Sequence, residues 1–263
     1  IAGIALMSSL ENKVVLLTGA SQGIGAVAAH ALGECGASLI AHYRSSDDLE
    51  GAREATAAIP DQRKHLVAAD FADCRAVDTL WHEAVRWNAG IDVVVLNAAM
   101  MEPAGGIDDD DDVWDAAWDR HYTVNVLAPA RLMRNAVRHY RERGGGVIIV
   151  MSSWVAQRGV TNPQMIAYAA SKAGIKAVAQ SIARGYAKDK IYVYILAPGI
   201  VRTKMSVDFA VLQGGEDVVT QSLAMGEWVP PQELAELIAF LAEGSVPQLS
   251  GATLDVNGAT YIR

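Results

Sequence analysis

Cysteine is scarce in this chain of 263 residues: Cys35 and Cys74 are its only two thiols, and they lie far apart. A framework of several disulfides is therefore excluded, and two free thiols in a reducing cytosol are expected. Long apolar runs are also missing, since no stretch reaches the roughly 18 residues that a membrane-spanning helix needs. We therefore predict a cytoplasmic location and no membrane partner.

Positive charge is in deficit, with 22 Lys and Arg against 30 Asp and Glu and a net charge of -8. An acidic surface repels phosphate backbones, so nucleic acid is not an expected partner. The densest acidic stretch, residues 108–112, is typical of a solvated loop and a helix N-terminus, and we predict no metal there. The apolar residues, 51% of the chain, are enough to build a sizeable core.

Strand and helix patterns alternate along the chain. Runs that are apolar on both faces, of which residues 13–19 are an example, alternate with helical stretches, of which residues 165–188 are an example. This alternation predicts an α/β fold: a single Rossmann-type, doubly wound parallel sheet of about seven strands with helices on both faces. We expect one domain over residues 1–263, with 1–10 as an N-terminal extension and 203–229 as a mobile lid.

The stretch TGASQGIG, residues 18–25, follows the first strand and opens a helix. Glycines at 19, 23 and 25 let the backbone turn sharply and approach a phosphate, while the helix N-terminus favours an anion. This context predicts dinucleotide binding. At the end of the second strand stands Tyr43, where an NAD-selective site needs a carboxylate, and Arg44 comes next. A guanidinium there favours a 2′-phosphate, so NADP(H) is expected, with NAD possible.

Tyr168 and Lys172 lie four residues apart in AYAASKAG and therefore share a helix face. An ammonium ~5 Å from the phenol favours the phenolate by ~3 kcal/mol, or about two pKa units. That would make Tyr168 an acid or base near neutral pH. For an isolated pair of this kind, a packed tyrosine beside a snorkelling lysine is the alternative.

Six motifs occur in order: TGASQGIG, NAA at 97–99, TVNV around Asn125, MSS at 151–153, YAASK at 168–172 and APG at 197–199. Together they resemble the short-chain dehydrogenase/reductase family from about residue 11 to 258, and the helix at 167–174 is similar to that of 3-oxoacyl-carrier-protein reductases.

The resemblance implies four catalytic residues. Tyr168 would donate the proton to a carbonyl oxygen, Ser153 would hold that oxygen, Lys172 would lower the tyrosine pKa and bind the nicotinamide ribose, and Asn125 would hold a relay water. The family usually separates serine and tyrosine by thirteen positions, whereas Ser153 stands fifteen before Tyr168. This loop therefore looks two residues longer, and Ser152 is the second choice for the serine.

The resemblance and the strand-end pattern together imply a set of cofactor contacts. These are Gly19, Ser21, Gln22, Gly23, Ile24, Gly25, Tyr43, Arg44, Ser45, Asp70, Phe71, Asn97, Ala98, Ala99, Tyr168, Lys172, Pro198, Gly199, Ile200 and Thr203. The expected substrate contacts are mostly apolar: Met100, Ser153, Trp154, Val155, Met205 and Trp228. Gln157 and Arg158 are placed to meet a polar or anionic substrate group.

The expected function is oxidoreduction: hydride transfer between NADP(H) and a carbonyl or secondary alcohol, with a small molecule as substrate. A non-catalytic dinucleotide-binding sensor, an NAD-dependent sugar or polyol dehydrogenase and a sugar-nucleotide epimerase or dehydratase are the alternatives. The resemblance suggests a homo-tetramer with the helices around 121–142 and 165–188 between subunits.

Overall fold

One parallel sheet organises the protein, whose computed structural model describes residues 9–88 and 90–263. Within these residues seven strands follow the order β3-β2-β1-β4-β5-β6-β7. The strands are β1 (Val14–Leu17), β2 (Ser38–Tyr43), β3 (Lys64–Ala68), β4 (Val93–Leu96), β5 (Gly146–Met151), β6 (Ile191–Pro198) and β7 (Thr253–Val256). Every neighbouring pair is parallel, which confirms the predicted sheet.

The central strands are apolar because both faces of the sheet are covered. β1 reads VVLL and β4 reads VVVL, and all eight side chains are buried. Successive side chains alternate between the faces, so Val14 and Leu16 enter one core while Val15 and Leu17 enter the other. A strand with water on one face would need polar residues at every second position, which β1 and β4 lack.

Helices cover both faces of the sheet. They are α1 (Gly23–Glu34), α2 (Leu49–Ala55), α3 (Cys74–Trp87), α4 (Asp111–Tyr122), α5 (Ala128–Arg143), α6 (Val155–Arg158), α7 (Ile166–Tyr186), α8 (Lys204–Val211), α9 (Glu216–Gln221) and α10 (Pro231–Ala242). The core on one face is built with α3, α5 and α7, and the core on the other with α1 and α10. The doubly wound arrangement is therefore confirmed.

Residues 111–143 follow one continuous helical path. Between α4 and α5 the chain passes through a π-helical turn, Thr123–Leu127, without leaving the helical path. This turn carries Asn125, which is buried. Such turns insert one extra residue into a helix and often mark functional positions.

Most of the predicted N-terminal extension, residues 1–8, lies outside the described residues. Leu10, the last residue of that extension, is fully buried, and its N–H donates to the Cys35 carbonyl at 2.7 Å. Both cysteines are free thiols. Across the described ranges, 9–88 and 90–263, no helix combines the length and apolarity needed to cross a membrane, and no cluster of His, Cys, Asp or Glu is arranged to hold a metal ion.

Candidate active site

A large cavity of about 900 Å³ lies at the carboxyl ends of the strands. It runs from the glycine turn after β1 to Tyr168 and on to residues 203–222 of the predicted lid, and its size suits a cofactor with a small substrate. Most of the predicted cofactor residues line it. The exceptions are Gly25, Tyr43 and Ser45, which stand behind the wall.

The glycine turn has the geometry predicted for phosphate binding. Gly19 and Gly23 have φ angles of +69° and +56°, a region in which other residues are strained. A Cβ on Gly25 would come within 1.8 Å of the Gly19 carbonyl oxygen, so Gly25 lets α1 pack against the turn. The first-turn N–H groups of α1, which have no partners inside a helix, meet the cavity at Gly23 and Ile24. The turn therefore fits a dinucleotide pyrophosphate.

Thr18 and Asn97 tie this turn to the end of β4. The Asn97 side-chain amide donates to the carbonyls of Thr18 and Gly19 at 3.0 and 3.1 Å. The Thr18 hydroxyl accepts from the backbone N–H groups of Asn97 and Ala98. Thr18 was not among the predicted site residues, although it precedes the glycines directly. Its role emerges only when residues almost eighty positions apart are brought together.

His42 supports the same turn and was also missed by the sequence analysis. Its Nδ1 accepts from the Gly19 N–H at 3.0 Å, its Nε2 lies 2.8 Å from the Ala69 carbonyl, and its ring stacks on Phe71. Burial lowers the pKa of His42 to about 4, against the opposing effect of the bond to Ala69. His42 is therefore neutral at pH 7, and these contacts require the tautomer with the proton on Nε2.

The end of β2 carries an acid as well as the predicted base. Arg44 lines the cavity and its Nε lies 3.3 Å from Oδ2 of Asp48. Ser45 donates to the same oxygen at 3.1 Å. Asp48 is the last residue of the short turn Ser46–Asp48 directly before α2, and its carboxylate lies on the cavity wall.

Asp70 also lines the cavity, and its Oδ1 accepts from the Ala72 N–H at 2.9 Å. This local bond shapes the turn after β3 and leaves the second carboxylate oxygen for a ligand. The structural and the cofactor-binding interpretations of Asp70 are therefore compatible.

Ser153, Tyr168 and Lys172 meet on the cavity wall where β5 faces α7. The Ser153 hydroxyl stands close enough to the Tyr168 phenol to lower the pKa of the tyrosine. The Lys172 ammonium is buried, donates to the Met151 carbonyl at 2.9 Å and lies 5.8 Å from the centre of the Tyr168 ring. The Ser152 hydroxyl instead donates to the Lys172 backbone carbonyl at 3.0 Å.

The pKa of Tyr168 is raised in this structure, whereas the sequence analysis expects it to be lowered. Burial raises it to about 12, and the interaction with Ser153 lowers it only in part. Burial also lowers the pKa of Lys172 to about 8. Burial disfavours the charged form of each group, and Tyr168 keeps its proton at neutral pH, the state a proton donor needs.

Asn125 lies behind the wall and acts on the backbone. Its Oδ1 accepts from the Met100 N–H, and its Nδ2 donates to the Met100 carbonyl, both at 2.9 Å. Nδ2 also donates to Ser171, whose hydroxyl donates to the Tyr168 carbonyl. The side chain thus joins the loop after β4 to the helix that carries Tyr168, and the relay water remains a prediction.

The substrate side is mostly apolar, as the sequence predicts. Met100, Trp154, Val155 and Met205 line it, together with neighbours that the sequence analysis did not select: Val160, Met165, Phe209, Ala210 and Val219. The prediction that Trp228 contacts the substrate is wrong for this structure. Trp228 is buried in a small apolar cluster, where its Nε1 donates to Thr220 at 2.8 Å, and it does not line the cavity.

The two residues predicted to meet a polar or anionic substrate group, Gln157 and Arg158, have different surroundings. Gln157 donates to Asp255 at 2.7 Å and accepts from Lys176, so it faces away from the cavity. Arg158 lines the cavity.

In the acidic run, residues 108–112, Asp109 accepts from the N–H groups of Gly105 and Gly106 and from Gln164. The run therefore contains one aspartate that shapes a loop, followed by the N-terminus of α4.

Comparison with known proteins shows similarity over nearly the whole chain. A family model described as Enoyl-(Acyl carrier protein) reductase matches residues 19–259. Versicolorin reductase stcU of Emericella nidulans is 31% identical over 96% of this chain and 97% of that protein. 3beta-hydroxysteroid dehydrogenase 1 of Eggerthella lenta is 32% identical over 96% and 95%. A solved structure of a mutant short-chain dehydrogenase/reductase from Serratia marcescens superposes with a TM-score of 0.82 at 30% identity, over 95% and 98%.

Proposed function

Because the chain belongs to the short-chain dehydrogenase/reductase family, an NAD(P)-dependent group of oxidoreductases acting on alcohols and carbonyls, we propose that it reduces a ketone with NADPH and that Tyr168 donates the proton. The observation that carries this proposal is the meeting of Ser153, Tyr168 and the buried Lys172 on the wall of the cavity that begins at the glycine turn. A sensor would need no proton donor there.

The chain's own residues divide the work. The glycine turn and the N-terminus of α1 would hold the pyrophosphate of a bound cofactor, and Arg44 would face its adenosine end. A bound nicotinamide would supply the hydride. Ser153 holds the carbonyl oxygen, and Tyr168, which a pKa of about 12 keeps protonated at neutral pH, releases its proton to that oxygen. Lys172, buried beside Met151, keeps positive charge near the tyrosine after the proton has left.

The cavity wall favours a ring-shaped apolar ketone over a sugar. Its substrate side carries methionine, valine and aromatic side chains, against which an apolar ring can pack. The relative from Eggerthella lenta is named for a hydroxysteroid, an alcohol on an apolar ring frame.

An NAD-dependent reaction stays the second candidate, because Asp48 places a carboxylate beside Arg44 where the 2′-hydroxyl of NAD could bind.

Replacing Tyr168 with Phe tests the proposal. The ring still fits, so NADPH should bind as before, while reduction of cyclic and aromatic ketones should slow by at least ~100-fold, since the proton donor is gone. Titration of NADPH fluorescence serves as the binding control. Activity of the variant close to that of the wild type would show that Tyr168 is not the proton donor.

A further inference from the structure

Arg158 is a cation held at a defined place in the cavity. It is the last residue of α6, and its guanidinium carbon lies 4.3 Å from the centre of the Trp154 ring, which is buried at the start of the same helix. Residues four apart share a helix face, and a guanidinium over an indole is attracted to the ring face. The stacking orients Arg158 without neutralising it.

Arg158 differs from the other cations of the cavity. Five lysine or arginine side chains line it, and three of these form ion pairs: Arg44 with Asp48, Arg120 with Glu102, and Lys204 with Asp208. Lys172 donates to a backbone carbonyl. Arg158 has no acidic partner within residues 9–88 and 90–263. An anionic group of a bound ligand can therefore form an ion pair with Arg158.

The position of Arg158 suits the far end of a substrate. It stands five residues after Ser153, and the four helical residues of α6 rise about 6 Å. Between the two the wall is apolar, formed by Trp154 and Val155. A molecule with its carbonyl at Ser153 and an apolar ring against this wall can thus place a second group at Arg158.

We propose that Arg158 binds a carboxylate on the substrate, so that the enzyme prefers ketones or alcohols with a carboxylate on an apolar, ring-sized frame. A planar guanidinium can hold a carboxylate through two parallel hydrogen bonds, which fixes orientation as well as charge. The inference rests on the proposed function, and it names the substrate class for the same site.

The experiment compares 3-acetylbenzoate with its neutral analogue 3-acetylbenzamide as ketone substrates with NADPH. The wild type should show a KM for the carboxylate at least about tenfold lower than for the amide. Arg158→Gln should raise the KM for the carboxylate by about tenfold or more, leave the KM for the amide unchanged and hardly alter kcat, while Arg158→Lys should fall between. Each factor of ten corresponds to about 1.4 kcal/mol.

Arg202→Gln is the matched control, because Arg202 also stacks on a tryptophan, Trp228 at 4.8 Å, but is paired with Glu216 and stands outside the cavity lining. It should keep the preference for the carboxylate. Equal KM values for the two ketones in the wild type, or equal changes for both in Arg158→Gln, would overturn the inference while leaving ketone reduction intact.

If neither ketone is turned over, the proposed function fails for these compounds, and calorimetry of 3-acetylbenzoate binding still decides the role of Arg158. Binding about tenfold weaker in Arg158→Gln than in the wild type would support it. Equal binding, or no binding to the wild type, would overturn it.

Discussion

Ser152 and Ser153 are neighbours whose hydroxyls have different partners. The Ser152 hydroxyl donates to the backbone carbonyl of Lys172 in α7. The Ser153 hydroxyl instead lies beside the Tyr168 phenol in the cavity. The longer loop between this serine and Tyr168, read from the spacing, is therefore compatible with Ser153 as the residue that holds the carbonyl oxygen.

Exchanging each serine for alanine separates these roles. Ser153→Ala should lower kcat/KM for a ketone by at least ~10-fold, because a charge-bearing oxygen loses a donor in the transition state. Ser152→Ala should mainly lower the melting temperature, since one buried hydrogen bond worth about 1 kcal/mol is lost. Steady-state rates and thermal unfolding of both variants check this. Equal activity losses, or a larger one at Ser152, would reverse the assignment.

Arg44 should set the choice of cofactor. Its Nε is engaged by Asp48, and its terminal nitrogens remain available for a 2′-phosphate through one or two charge-assisted bonds worth roughly 1.5–3 kcal/mol each. Arg44→Ala should weaken NADPH binding about tenfold or more and leave NADH little changed. Dissociation constants for both cofactors measure this.

Arg53→Ala is the control for Arg44, because Arg53 is similarly exposed and likewise paired with an acid, Glu50, but stands outside the cavity lining. A wild type that binds NADH as tightly as NADPH would remove the basis for assigning NADP. So would an Arg44→Ala variant that loses both cofactors equally.

At the scale of elements, the glycine turn depends on the end of β2. His42 accepts from Gly19 and donates to Ala69, so one imidazole near the end of β2 joins the connections that follow β1 and β3. Only the neutral ring can do both, because a protonated Nδ1 cannot accept a hydrogen bond. The stability of the turn is therefore linked to pH.

The sign of this linkage follows from the pKa of His42, lowered by burial from 6.5 to about 4 in the folded protein. Between these values the unfolded chain binds more protons, so stability is fully present above pH 6.5 and is lost as pH falls towards 4. The loss should reach about 3 kcal/mol at 1.36 kcal/mol per pKa unit.

Urea unfolding at pH 7, 6, 5 and 4.5 measures the linkage. A His42→Gln variant should be less stable at pH 7 but should lack this part of the acid-induced loss. His30→Gln, which removes an exposed histidine of α1, should follow the wild type. Parallel pH profiles for the wild type and His42→Gln would show that His42 does not titrate as described.

At the scale of the whole molecule, the acidic chain places its chemistry in one cavity at the carboxyl edge of the sheet, as open parallel sheets generally do. Association between copies of the chain is expected to involve the outer faces of α4, α5 and α7. Tyr122 and Leu127 are exposed there, Leu127 by 54%, on the continuous helical segment expected between subunits.

Light scattering should find a mass near four times the 28.0 kDa of one chain. Leu127→Glu should reduce the assembly to a smaller species, because a buried carboxylate without a partner opposes association. Val211→Glu, a change at a similarly exposed apolar residue of α8, should leave the mass unchanged. A monomeric wild type would contradict the predicted tetramer.

The sequence by itself determined the fold class and the order of the motifs. Both depend on local physics: apolar runs mark strands covered on two faces, glycines mark the turn that no other residue adopts without strain, and four-residue spacing puts Tyr168 beside Lys172. The tertiary structure decided what depends on distant partners. It gave His42 and Thr18 their contacts with the glycine turn, placed Trp228 outside the cavity lining and raised the pKa of Tyr168, which was expected to be lowered. Burial and hydrogen-bond partners are set by residues tens of positions away, which a local pattern does not contain.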